Sequence, residues 1–122
     1  MQNFKHICVI GLGYIGLPTA ATFAAHGVKV TGVDVNQHAV DMINQGKVHI
    51  VEPDLDALVR DVVARQKLSA QLTPVAADAY IVAVHLLGPY QVLVLIFPAT
   101  LNVAVTDVAS VLYVVVIVFA VA

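Results

Sequence analysis

Three glycines, Gly11, Gly13 and Gly16, interrupt the apolar stretch "VIGLGYIGLP", and a carboxylate, Asp34, lies near the end of the next apolar run, "VKVTGVDV". The spacing G-x-G-x-x-G gives each glycine a separate task in dinucleotide chemistry. Gly11 permits a tight turn off a strand. Gly13, without a Cβ, lets the backbone approach a pyrophosphate. Gly16 lets the following helix pack close to the sheet. The start of that helix then offers unpaired N–H groups and a partial positive charge to the phosphates. Asp34 can accept hydrogen bonds from the hydroxyls of an adenosine ribose, and it repels a 2′-phosphate. No Lys or Arg follows it closely, the next cation being Lys47, so the pattern favours NAD over NADP. The alternative is three packing glycines and a surface aspartate. The order strand, glycines, helix, strand, aspartate favours the dinucleotide site.

That order requires elements which can be read from periodicity. "HICVI", residues 6–10, is apolar on both faces and fits a buried parallel strand. Residues 14–27 read as a helix whose start lies near 13–15, because Pro18 is tolerated only in a first turn. Residues 28–35 form the next strand, and Asn36 caps a helix that Gly46 ends. The segment "EPDLDALVRDVVARQKL" predicts a third helix, with Asp54 as its cap and Leu55, Leu58, Val59, Val62 and Val63 as its apolar stripe. Residues 78–84 predict a third strand. Strands alternating with helices give an α/β fold, a Rossmann-like parallel sheet flanked by helices with right-handed crossovers, incomplete or irregular after residue 84.

Other chemistry is thin. The chain has 122 residues and a net charge of −2, enough for one ordinary domain and without the basic surplus of a nucleic-acid binder. Its five histidines are scattered. His38 and Asp41 could share a helix face, but two ligands do not make a metal site, and none is expected. Asp54, Asp56 and Asp61 read as a cap, a first-turn charge and a solvated face. Cys8, the lone cysteine, reads as a small apolar residue of the first strand. A lone cysteine and the lack of a signal-like N-terminus make a cytoplasmic setting the expectation.

The segments "VIGLGYIGLPTAATFA", "VTGVDVNQHAVDMINQGKVHIVEPDL" and "DAYIVAV" closely resemble the N-terminal NAD-binding domain of the UDP-sugar dehydrogenases, over residues 6–84. The runs G-Y-I-G-L-P and "VEPDL" are far more restrictive than the glycine spacing. The resemblance implies a two-step, NAD-dependent oxidation of a sugar C6 alcohol to a carboxylate. It implies that Tyr14 and Ile15 meet NAD through the glycine turn and that Asp34 holds the adenosine ribose. The departure begins at His85. Leu86 stands where the family carries the threonine of a Pro-Thr-Pro turn. The family's later E-S-T segment, and the cysteine, lysine and asparagine of its catalytic half, have no counterpart here, so no catalytic residue is assigned.

All six Lys and Arg lie at or before Lys67, and only Asp78 and Asp107 carry charge after it. The reading therefore divides the chain into an NAD-binding part, residues 1–84, and an apolar segment, residues 85–122. Three accounts of that segment stay open. It completes the sheet, with "QVLVLIF" and "VLYVVVIVFAV" as further buried strands. It is a membrane segment, against which stand its length and Asp107. Or it is not the family's own sequence, through a shifted frame or a truncated gene. In that last case the family's missing turn is expected in another frame of the DNA. The function expected is the NAD-binding portion of a UDP-sugar 6-dehydrogenase, inactive alone, with a UDP-sugar as substrate only in the full-length context. The alternative is a non-catalytic nucleotide-binding module, membrane-associated if its apolar tail inserts. A homodimer stays open, since the sequence does not fix the oligomeric state.

Overall fold

The computed structural model describes residues 4–85, 90–98 and 112–120. Among the described residues six strands form one sheet: β1 (His6–Ile10), β2 (Lys29–Val33), β3 (Leu68–Gln71), β4 (Ala79–His85), β5 (Tyr90–Pro98) and β6 (Leu112–Ala120), in the order β3-β2-β1-β4-β5-β6. Three helices join the first of these: α1 (Gly16–Ala25), α2 (Gln37–Asn44) and α3 (Leu55–Ala64). β3, β2, β1 and β4 run parallel, a Rossmann-like α/β sheet flanked by helices.

The register explains the core. Ile7 pairs with Val30 and Ala79, Val9 with Gly32 and Ile81, and Leu68 with Val30. Paired residues of parallel strands share a face. That face joins Leu17, Ala20, Ala21 and Ala24 of α1, Val40 and Ile43 of α2, and Val59 and Val62 of α3 in one buried cluster. Ala20, Ala21 and Ala24 of α1 are fully buried. Their small side chains bring the helix axis close to the sheet, which also brings its first turn close to the end of β1.

The helix ends show which local signals act. Asn36 caps α2: its Oδ1 accepts the N–H groups of His38 (3.0 Å) and Ala39 (3.4 Å). The expected Asp54 cap is not made. Asp54 is left-handed (φ 63°) and its side chain bonds no helix amide. α3 holds its whole apolar stripe but ends earlier than the segment expected to be helical, which reaches Leu68. Gln66 takes a left-handed φ of 59°, and the N–H of Lys67 returns to the carbonyl of Val62 (2.9 Å). The chain then enters β3, a strand not expected from the sequence, whose first residue, Leu68, closes the segment expected to be helical. Leu68 and Ala70 alternate into the core, and Asn44, the last residue of α2, covers the outer edge of β3. Its amide donates to the carbonyl of Ala70 (2.9 Å) and accepts the N–H of Ala70 (2.8 Å), which occupies backbone groups that would otherwise template edge pairing.

The parallel pattern ends at β4, in keeping with the irregularity expected after residue 84. β4 pairs antiparallel with β5, and β5 antiparallel with β6. Residues 86–89 alone separate β4 from β5, whereas a parallel partner needs a crossover of about a dozen residues or more. The two apolar runs of the tail do form strands, as the first account expects, but in hairpin order. Among the described residues no helix is long and apolar enough to cross a membrane.

The start of β1 carries a proton linkage that acts on the acid side. The carboxylate of Asp78 accepts the N–H groups of His6 and Lys5, each at 2.9 Å, and these bonds hold its pKa below the ordinary carboxylate range. His6 is bonded through Nε2 to Oγ1 of the buried Thr31 (2.8 Å). Burial, and then the charge of Lys29, hold the imidazole below the ordinary histidine range, with Asp78 opposing. The unfolded chain therefore protonates His6 more readily than the folded one. Acidification through the histidine range favours unfolding, and the Asp78 contribution is lost later, as pH falls through its depressed folded value. The urea midpoint is expected to fall between about pH 8 and about pH 5 and to fall less in His6→Gln, with a further loss below about pH 4 that Asp78→Asn reduces.

Candidate functional site

The site is built where β1 ends. Gly11 takes a φ of 93°, a left-handed conformation open to glycine at little cost. Its N–H donates to the carbonyl of Val33 (2.8 Å), which ties the turn to the end of β2. A Cβ there would lie 2.5 Å from the carbonyl oxygen of Ala83 on β4. At Gly16 a Cβ would overlap the carbonyl of Gly11, so the helix presses directly on the turn. Gly13 differs from both. A Cβ at that position meets nothing within 4 Å, and the carbonyl of Gly13 accepts the N–H of Leu17 (3.1 Å) to open the helical ladder. The two outer glycines are required by the protein's own packing, while the middle one faces open space.

Tyr14 is about half exposed (51%). Ile15 occupies the cap position of α1 without a side-chain cap, and the first turn holds no acidic residue. The first turn of the helix thus supplies no counter-charge of its own to its positive end.

Asp34 follows β2 and points back at the turn. Its Oδ2 accepts the N–H of Leu12 (3.0 Å), and its Oδ1 accepts the N–H of Asn36 (2.9 Å). The carboxylate is fixed in orientation while keeping lone pairs for a ligand. Beside it lies a cleft of about 160 Å³ lined by Ile10, Gly11, Val33, Asp34 and Val35, with the Val35 side chain almost wholly exposed (94%) at its mouth. The six residues picked out by spacing and resemblance, Gly11, Gly13, Tyr14, Ile15, Gly16 and Asp34, thus fall on the β1–α1 turn and on the end of β2 that bonds to it. Sequence reasoning missed Leu12, Gly32 and Val35. Gly32 is the one with a signal, a glycine inside an apolar strand.

Cys8 is fully buried, and burial pushes its thiol pKa up against a weaker opposing hydrogen bond from the Val75 backbone, the reverse of what a thiolate nucleophile needs. Leu86, where the family's threonine would stand, lies outside the described residues. Among the described residues no group of three or more His, Cys, Asp or Glu could hold a metal ion.

A family model described as the UDP-glucose/GDP-mannose dehydrogenase family, NAD binding domain, matches residues 5–88. The chain belongs to that family. It is 61% identical over 84 residues to UDP-N-acetyl-D-mannosamine dehydrogenase of Campylobacter jejuni, covering 69% of this chain and 21% of that protein. It is 60% identical over 83 residues to the Escherichia coli K12 enzyme of the same name, covering 68% and 20%. Among solved structures, the UDP-N-acetyl-mannosamine dehydrogenase Cap5O from Staphylococcus aureus superposes with a TM-score of 0.63 at 46% identity, over 64% of this chain and 19% of that one. The chain spans about a fifth of the length of the curated relatives it matches. The family match contains the turn, α1, β2 and Asp34, and ends close to where β4 gives way to the antiparallel hairpin.

Proposed function

We propose that this chain binds NAD at the β1–α1 turn and is the cofactor-binding portion of a UDP-sugar 6-dehydrogenase. The diphosphate rests on the amides of the turn and the start of α1, where Gly11, Gly13 and Gly16 leave room and Tyr14 and Ile15 flank it. Asp34 takes the adenosine ribose. When bound, NAD supplies the hydride acceptor for oxidation of a sugar C6 alcohol. The residues of this chain bind and orient it. UDP-N-acetyl-D-mannosamine is the substrate favoured by the names of the Campylobacter jejuni and Escherichia coli relatives. The chain by itself is expected to turn nothing over, a reading supported by its spanning only about a fifth of the length of the relatives it matches.

The observation that carries the reading is the Leu12 N–H to Asp34 bond beside an open Gly13. It brings an anion-seeking turn and a ribose-seeking carboxylate to one cleft, and the carboxylate disfavours a 2′-phosphate. Asp34→Ala is expected to weaken NAD binding by about 1.5–3 kcal/mol, the worth of hydrogen bonds to a charged group. Calorimetric titration of both proteins checks it, with NADH formation from UDP-N-acetylmannosamine followed alongside. Equal affinity in parent and variant overturns the site assignment, and NADH formation by the chain overturns its assignment as a binding portion only.

A further inference from the structure

Gly32 sits in the middle of β2, where glycine weakens a strand and has no turn to serve. Its φ is not left-handed, so backbone conformation does not explain it. Its surroundings do. A Cβ on Gly32 would meet Cδ1 and Cδ2 of Leu12 at 2.8 Å each and Cγ at 3.4 Å. Leu12 is the residue between the first two glycines of the turn, and it is fully buried in the main core cluster. A methyl at position 32 therefore finds a side chain with little room to rotate away.

Leu12 is also the residue whose N–H bonds Asp34. Its side chain anchors the centre of the turn in β2, while its amide faces the carboxylate just beyond the same strand. Resting on the NAD-site reading above, we infer that Gly32 is a positioning residue for that site: the space of its missing side chain seats Leu12, and this seat sets the height of the turn and its bond to Asp34. A Cβ at position 32 lifts Leu12, lengthens the Leu12 to Asp34 bond, and moves the turn amides from where a diphosphate would rest.

The test is a rescue. Gly32→Ala is expected to lose about tenfold in NAD affinity, a coupling of ordinary size for residues in contact. Leu12→Val removes the two Cδ atoms that the new Cβ meets. The double variant Gly32→Ala/Leu12→Val is expected to bind NAD within about twofold of Leu12→Val alone. The amide resonance of residue 12, followed by ¹⁵N–¹H NMR without ligand, reads the bond to Asp34 directly. It moves in Gly32→Ala and returns in the double variant to its position in Leu12→Val. Parent-like affinity and an unmoved amide in Gly32→Ala overturn the inference, as does a double variant as weak as Gly32→Ala. If Gly32→Ala does not fold, the double variant must fold and bind, and its failure to do so counts against the inference. If the parent binds no NAD, the function reading falls, and the amide resonances still decide the role of Gly32.

Discussion

Gly13→Val is expected to abolish NAD binding while leaving the fold as stable as the parent. The two halves of this result come from one observation. A Cβ at Gly13 meets no protein atom within 4 Å, so a side chain there starts in open space, and its expected cost to stability is the ~0.5 kcal/mol typical of a surface change. The same open space is where the diphosphate is proposed to lie, and a branched side chain there occupies it. Calorimetric titration should show no saturable heat with NAD, and thermal unfolding should give a midpoint near that of the parent. A stable variant that binds NAD as the parent does would place the ligand elsewhere.

Gly16→Ala is expected to act in the opposite way, by breaking the fold at the site. The new Cβ overlaps the backbone carbonyl of Gly11 and presses on the Cβ of Ala83 at 3.3 Å. A backbone carbonyl cannot swing aside as a side chain does, and Gly11 is itself bonded to Val33. α1 must therefore move off the turn, and the alanines that hold it to the sheet lose contact. Overpacking of this kind costs about 3 kcal/mol or more, against a total of roughly 5–15 kcal/mol for a domain. The thermal midpoint should drop by on the order of 10 °C, with NAD binding lost as a consequence. A parent-like midpoint would show that the helix does not press on the turn as described.

The contrast between these glycines bears on what the sequence can carry. The strand, the turn, the helix and Asp34 were legible because each leaves a local mark: an apolar run, a spacing of glycines, a proline confined to a first turn, an acid near a strand end. Local marks failed at α3 and β3. The segment expected to form α3 runs on to Leu68, and the helix is stopped by Gln66 in a left-handed conformation, for which glutamine gives no warning. Asp54 looks like a cap by residue type, yet its own left-handed backbone turns it away from the helix amides. The hairpin order of β5 and β6 was hidden by composition, since both runs are apolar at nearly every position and nothing in them marks direction. The short connection of residues 86–89 decides it for β5, whereas the longer stretch from 99 to 111 leaves either direction open to β6 by length alone. The contact of Leu12 with Gly32 is a meeting of two elements, and the sequence shows no more of it than a glycine where a strand would prefer a side chain.

The central claim is that a side-chain-free turn and a carboxylate tied to it form a working NAD site in this chain. Calorimetric titration of NAD into the folded 122-residue chain, with folding checked by circular dichroism on the same sample, tests it most directly. The account predicts saturable binding at a single site, weaker for NADP because of Asp34. A folded chain that shows no saturable binding, or one that prefers NADP, would contradict it.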